Sequence, residues 1–129
     1  MRRAVAVILA IAFSPLVVAL ASPLPKFPPH TPYAEARRSL LTLGYSPVAL
    51  PDADEWGRSQ CGFKPGSVDG KPAAAGNDDG ERCYPEMEAC AGTGLGQCIY
   101  SWKRGETLIE VLTTNELPLV SGVRCRVNC

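Results

Sequence analysis

The chain is a short, charge-balanced polypeptide that is rich in cysteine. It has 129 residues, with 13 basic and 13 acidic side chains, six cysteines and one histidine. This length matches one domain and excludes a multidomain enzyme, because domains commonly contain about 100–150 residues. The balanced charge argues against a nucleic-acid-binding protein, which typically carries a strongly basic face. With 46% apolar and 20% charged residues, the composition predicts a globular protein.

Residues 1–21 have the organisation of a secretory signal peptide. Two arginines follow Met1, and an apolar run then leads to Ala19-Leu20-Ala21, a small-residue site of the kind that signal peptidase cleaves. The alternative is a retained membrane anchor. Pro15 interrupts the apolar run, however, and a spanning helix needs about 20 apolar residues. We therefore predict cleavage after Ala21 and a mature protein that is periplasmic or extracellular.

The predicted mature chain begins with a proline-rich segment and an amphipathic helix. Residues 22–31 contain four prolines, which predicts an extended tether. Thr31 and Pro32 fit the N-cap and the first position of a helix over 32–43. Apolar residues recur there at spacings of three and four, and Gly44 fits the residue that ends the helix.

Residues 45–50 predict a short extended piece that Pro47 would confine to a sheet edge, and a long loop-like region over 51–82 then leads to the C-terminal third. Residues 64–82 contain four glycines and two prolines, which predicts a mobile surface loop. The acidic stretch 77–81 lacks the ligand spacing of a calcium loop and is interpreted as an acidic turn. Pro85 and Glu86 then predict one or two helical turns over 84–90.

Alternating apolar and polar residues predict three strands in the C-terminal third. The alternations cover 98–102, 107–113 and 119–127, and short turns separate them. Short turns favour antiparallel neighbours. We therefore predict an α+β domain over 32–129, in which the N-terminal amphipathic helix packs on a three- to four-stranded antiparallel meander.

All six cysteines follow the predicted cleavage site, and their even number indicates a disulfide framework. Residue spacing does not select among the 15 possible pairings. Glycines between Cys90 and Cys98 would let these two meet, and a Cys61–Cys83 bond would close the base of the polar loop. Cys125 and Cys129 are the remaining two cysteines.

The last two cysteines leave an open question. In a regular strand Cys125 and Cys129 would stand about 13 Å apart, beyond the reach of a disulfide. Either the last residues curl, or each cysteine pairs elsewhere. Zinc competes for the same sulfurs, but structural zinc sites favour close cysteine pairs, and the single histidine is remote. We therefore assign no metal ligands.

Known catalytic and cofactor motifs do not fit this chain. The stretch Gly92-Thr93-Gly94-Leu95-Gly96 has neither the dinucleotide-binding spacing nor the Lys-Ser/Thr of a phosphate loop. His30 lies in the predicted tether, a poor place for a catalytic base that needs an orienting partner. Glu86 and Glu88 are too close in sequence to face each other as an acid–base pair. We assign no catalytic or cofactor-binding residue.

Two pairs of side chains are candidates for contact with a partner. Tyr100 and Trp102 share one face of their predicted strand and would form either an aromatic contact surface or core packing beneath the helix. Arg124 and Arg126 would form either an acid-binding patch or cross-strand pairs with Glu110, and the pairing is the simpler interpretation.

Three segments resemble small exported bacterial proteins of uncharacterised function. They are Tyr84-Pro85-Glu86, Cys90-Ala91-Gly92-Thr93-Gly94 and Cys98-Ile99-Tyr100-Ser101-Trp102, and the stretch 40–48 is similar to the N-terminal helix of those proteins. The resemblance covers about half of the mature chain, implies a Gram-negative periplasm and implies no activity.

The function predicted from the sequence is a non-catalytic binding or inhibitor-type module of the bacterial envelope. Its partner would be another envelope protein, reached through the sheet or the loop 64–82, without cofactor, nucleic acid or a stable membrane span. The alternative is a structural or stress-tolerance envelope protein with no specific partner. A small hydrolase that uses scattered carboxylates is the third and least favoured hypothesis.

Overall fold

A computed structural model gives the fold of this chain. It describes residues 23–53, 61, 63, 83–91, 94–114 and 118–129. The predicted signal peptide at 1–21 and the predicted mobile loop at 64–82 lie outside the described residues. None of the described residues forms a helix with the length and apolar character required to cross a bilayer.

The described residues form one helix and a five-stranded antiparallel sheet. The elements are α1 (Tyr33–Thr42), β1 (Ser46–Pro47), β2 (Met87–Cys90), β3 (Cys98–Arg104), β4 (Thr107–Thr114) and β5 (Leu119–Val127).

The helix α1 lies within the range predicted for it, but its N-terminus differs in detail. The N-cap residue is Pro32, and no side chain caps the helix. The Thr31 hydroxyl donates instead to the carbonyl oxygen of Pro28 at 2.7 Å. The prediction that Thr31 caps the helix was therefore wrong, because the local turn at 28–31 competes for its hydroxyl group.

The C-terminus of α1 ends as predicted, at a glycine. Gly44 has φ +80°, in the left-handed region that only glycine adopts without strain. The amide of Tyr45 donates to the carbonyl of Leu40 at 2.9 Å, and the amide of Gly44 donates to Leu41 at 3.1 Å. This pair of hydrogen bonds is the Schellman motif, and the apolar contact that accompanies it is supplied by Leu40 and Tyr45, both buried.

The proline-rich segment that we predicted as a tether packs on the domain. Leu24 and Phe27 lie against the core, since they are the apolar residues between the prolines. The carbonyl of Thr31 accepts a hydrogen bond from the amide of Val120 at 2.8 Å, and the amide of Tyr33 donates to Pro118 at 2.8 Å. These bonds attach the chain before α1 to the start of β5.

The meander of β3, β4 and β5 is confirmed, and two short strands enlarge it. The sheet order is β1-β3-β4-β5, with β2 also paired to β3. Strand β2 pairs with the first half of β3, and β1 pairs with Trp102 and Lys103 in its second half. Both short strands therefore lie end to end along the edge of β3 that β4 leaves open.

The segment predicted as helical turns over 84–90 is instead a turn followed by strand β2. The amide of Met87 donates to the carbonyl of Tyr84 at 3.0 Å, which closes the turn. Cys90 then lies directly opposite Cys98 in β3, to which it is also disulfide-bonded. The helical prediction was wrong because this pairing to a distant strand overrides the local preference set by Pro85.

The core lies between α1 and one face of the sheet. Tyr33, Ala36 and Leu40 project from the helix and are fully buried. The facing residues of the sheet are Tyr100, Trp102, Ile109 and Val111, each 0% exposed. Because alternate residues of a strand point to opposite faces, the residues between them form a second, outer face of the sheet.

All six cysteines are joined in three disulfide bonds, Cys61–Cys83, Cys90–Cys98 and Cys125–Cys129. The last pair meets because the chain curls after β5. Asn128 has φ +51°, and the curl brings the two Cα atoms to 5.9 Å. Asparagine is among the residues that tolerate this conformation best.

Candidate functional site

The aromatic pair proposed as a contact surface is part of the core. Tyr100 and Trp102 are both 0% exposed. The ring of Tyr100 stacks on that of Tyr33 with centroids 3.8 Å apart, and the indole nitrogen of Trp102 donates to the Tyr33 hydroxyl at 3.0 Å. This is the core-packing alternative, so the pair offers no surface to a partner.

A buried carboxylate lies beside these rings. Glu86 is 0% exposed and accepts two hydrogen bonds on Oε1, from the hydroxyl of Tyr33 and from Nε of Arg37, both at 2.8 Å. Tyr33 and Arg37 are four residues apart on α1, so they lie on the same face of the helix. The prediction of helical turns over 84–90 gives no indication of this contact between Glu86 and α1.

Burial and charge both act on the tyrosine of this network. The pKa of Tyr33 is raised well above its usual value near 10. The largest cause is burial of the hydroxyl, and the second is the negative charge of Glu86. The phenol therefore stays protonated and donates to Glu86. The guanidinium of Arg37 lies 5.4 Å from the ring centroid of Tyr84, within the range of a cation–π contact.

The hydrogen bonds of Tyr33 and Arg37 to Glu86 connect α1 to the segment that leads into β2. The carboxylate of Glu86 has a cationic partner and a neutral donor, and the Tyr33 hydroxyl both donates and accepts. Glu88, two residues later, contacts Ser101 and Arg126 on the outer face of the sheet. Glu86 therefore lies among the core residues, whereas Glu88 lies on the outer face.

A second charged cluster covers part of the outer face around Arg126. Its Nη1 atom lies 2.7 Å from both carboxylate oxygens of Glu88 and 2.9 Å from Oε1 of Glu110. Its Nη2 atom lies 3.3 Å from Oδ2 of Asp52. Two carboxylates from different strands therefore converge on one guanidinium, which separates them.

The predicted cross-strand pairing of Arg124 with Glu110 is confirmed. The two residues are register partners in β5 and β4, and Nε of Arg124 donates to Oε2 of Glu110 at 2.7 Å. Glu110 is buried, whereas the side chain of Arg124 is 58% exposed. One side of the guanidinium thus compensates a buried charge while the rest of the group faces solvent.

Beside this cluster the outer face of the sheet forms a shallow hollow of about 350 Å³. Ala89, Ile99 and Leu112 lie side by side on three adjacent strands and remain half-buried. Exposed polar residues at its margin include Gln97, Ser121 and Arg124. We name this surface the outer-face hollow. The strand alternation places Ile99 and Leu112 on the face opposite Tyr100 and Trp102, but strand β2, which contributes Ala89 to this surface, was predicted as helical turns.

Comparison with protein-family models, with curated proteins and with solved structures gave no match. Within the ranges that the structure describes, no group of three or more histidine, cysteine, aspartate or glutamate side chains is arranged to hold a metal ion. The three disulfides indicate an oxidising environment outside the cytoplasm, because thiols in the cytoplasm are kept reduced.

Proposed function

We propose that this protein is a secreted, non-catalytic binding module of the bacterial envelope that contacts another envelope protein through the outer-face hollow. The supporting observation is the half-buried apolar row of Ala89, Ile99 and Leu112 beside the exposed guanidinium of Arg124. The core of a protein interface is apolar and poor in charged residues, and arginine is enriched in interfaces and among the residues that contribute most to binding. The fitting partner presents an aliphatic side chain beside a carboxylate.

A signal peptide at 1–21 would deliver the chain to the compartment in which this contact occurs. The proposed location rests on the charged, apolar and small-residue regions of the N-terminus together with the three disulfides. An inhibitor-type module fits the same features, since inhibitors of extracellular enzymes are commonly small and disulfide-rich.

The charge arrangement on the outer face argues against a hydrolase that would use Glu88 and Glu110. A glycosidase-like reaction needs two carboxylates on opposite sides of a substrate. Here Glu88 and Glu110 converge on Arg126, and a guanidinium occupies the space between them. The buried Glu86 is likewise held by Arg37 and Tyr33.

The experiment that tests this function fills the hollow. Ser121→Trp places an indole at its margin, and the matched control Ser39→Trp places the same group on the exposed side of α1. Both proteins and the wild type are used as bait in an envelope extract with crosslinking, and the captured protein is then purified. We expect Ser121→Trp to raise the dissociation constant of the complex at least ~10-fold, which is about 1.4 kcal/mol of binding free energy. Ser39→Trp should leave the dissociation constant unchanged.

The same experiment can contradict the proposal in two ways. Loss of binding with Ser39→Trp and not with Ser121→Trp would place the interface on the helix. Absence of any partner that binds the purified wild type would favour the second candidate, a structural or stress-tolerance protein. The observation in favour of that candidate is the burial of Tyr100 and Trp102, since the exposed aromatic residues common in protein interfaces are then absent from this part of the described sheet.

A further inference from the structure

The three disulfides differ in how much of the fold depends on them. Cys61 and Cys83 are 6% and 7% exposed and belong to the core, and Cys98 is 1% exposed while its partner Cys90 is half-buried. Cys125 is exposed, and Cys129 is half-buried at the margin of the core. The Cys125–Cys129 bond also spans the smallest sequence separation, 4 residues against 8 and 22. Its loss therefore frees the least conformational entropy in the unfolded chain.

Other contacts hold the C-terminus in place independently of this bond. The hydroxyl of Thr107 donates to the carbonyl of Asn128 at 2.9 Å, and the side-chain amide of Asn128 donates to the carbonyl of Glu106 at 3.4 Å. The carbonyl oxygens of Val127 and Leu108 lie 3.4 and 3.6 Å from Sγ of Cys129. A thiol formed at Cys129 would therefore find hydrogen-bond acceptors without any movement of the chain.

We propose that Cys125–Cys129 is an exchange-competent disulfide that reacts with an external dithiol, whereas the other two bonds are structural. A thiolate of the dithiol attacks Sγ of Cys125, the bond to Cys129 breaks, and Cys129 leaves as a thiolate that takes up a proton. The second thiol of the reagent then attacks the mixed disulfide and releases Cys125 as a thiol. Two electrons and two protons pass to the protein, and the dithiol is oxidised to a disulfide.

The exposure of Cys125 and the attachment of Asn128 both favour Cys125–Cys129 as the site of exchange. Attack on a disulfide requires access to a sulfur atom, and Cys125 is the one exposed residue among the six cysteines, whereas Cys90 and Cys129 are half-buried and the other three are buried. Because Asn128 stays attached to the turn between β3 and β4, the two thiols remain neighbours and can close the bond again. The site can thus cycle between two redox states while α1 and the sheet keep their arrangement.

Graded reduction of the purified, oxidised protein tests this inference. The protein is incubated with increasing dithiothreitol, free thiols are trapped with an isotope-labelled alkylating reagent, and each cysteine is quantified by peptide mass spectrometry. We expect Cys125 and Cys129 to be alkylated at least ~10-fold faster than the other four cysteines. The tryptophan bands of the near-ultraviolet circular dichroism, to which the buried Trp102 contributes, should remain unchanged during this phase.

Two double variants serve as controls. Cys125→Ser/Cys129→Ser should fold and lose the fast phase, whereas Cys90→Ser/Cys98→Ser should retain it. Reduction of Cys90–Cys98 at the same or a greater rate in the wild type would overturn the proposal, as would loss of the circular dichroism signal in the same step. The wild-type rates decide the outcome even if a variant does not fold.

Discussion

Glu86 is a fully buried carboxylate whose two hydrogen-bond donors come from one helix. Charges of this kind are expensive to remove from water, and they are tolerated when a cation and further donors compensate them. Arg37 supplies the cation and Tyr33 the neutral donor. The three side chains consequently help to fix the rotation of α1 relative to the sheet, because turning the helix would move both donors away from the carboxylate.

The first prediction concerns this buried charge. Glu86→Gln keeps the shape of the side chain but leaves Arg37 without its ion-pair partner, and we expect the free energy of unfolding to fall by about 3 kcal/mol. Urea unfolding followed by tryptophan fluorescence measures the change. The control is Glu106→Gln in the exposed turn between β3 and β4, which should change stability by less than about 0.5 kcal/mol. Equal effects of the two substitutions would show that the burial of Glu86 does not matter.

The second prediction follows from the raised pKa of Tyr33. An unfolded tyrosine releases its proton near pH 10, whereas the folded protein retains it to higher pH. The stabilising contribution is therefore complete below pH 10 and is lost as the pH rises towards the folded pKa. Above pH 10 the free energy of unfolding should fall, with Tyr33 contributing up to about 1.4 kcal/mol per pH unit.

Substitution of single tyrosines tests the origin of this slope. Tyr33→Phe should remove its part of the decrease above pH 10, because the variant has no hydroxyl group to titrate. Tyr45→Phe, a buried ring outside the Glu86 network, should preserve that part. Unfolding midpoints measured between pH 8 and pH 11 would contradict this account if the slope for Tyr33→Phe matched that of the wild type.

Among side-chain contacts, the sequence predicted only those in which the two residues are close in the chain or carry complementary charges. The pairing of Arg124 with Glu110 followed from opposite charges on neighbouring predicted strands. The role of Glu86 did not, because its donors lie 49 and 53 residues away. Whether Tyr100 and Trp102 are buried or exposed likewise depends on the position of α1, which is distant from them in the sequence.

The secondary-structure elements also differ in how far residue spacing alone could predict them. The helix and the three long strands have apolar repeats of their own, so their positions could be predicted from residue spacing. Strands β1 and β2 contain two and four residues and exist through their pairing with β3. A glutamate-containing segment that begins with proline looks helical in isolation, and it becomes a strand because an open edge of the sheet lies beside it.

The third prediction concerns the end of α1. Gly44→Ala should lower the free energy of unfolding by about 1 kcal/mol, because alanine is strained at φ +80°. Steric overlap does not contribute, since the added Cβ would meet Arg104 at an ordinary 3.9 Å. The control Gly122→Ala adds the same group in β5 at an unstrained φ and in open space, so its stability should be equal or higher. Thermal unfolding of both variants decides between strain and packing.

In the whole molecule, the three disulfides stabilise different parts of the fold. One bond closes a separation of 22 residues beside the core, one joins two paired strands, and one folds the C-terminus back on itself. The even number of cysteines predicted that such bonds exist. The pairing itself follows from the fold, since the curl at Asn128 allows the last bond and the pairing of β2 with β3 brings Cys90 to Cys98.

The fourth prediction compares the cost of losing two of these bonds. Cys61→Ala/Cys83→Ala should destabilise the protein by about 3 kcal/mol from loop closure, and by more because Cys61 and Cys83 pack in the core with Phe63. Loop closure by Cys125–Cys129 is worth about 2 kcal/mol, and its exposed cysteine adds little burial. In urea unfolding, the Cys125→Ala/Cys129→Ala variant should therefore have the higher midpoint. The reverse order would mean that the C-terminal curl, and not the core loop, limits the stability of the domain.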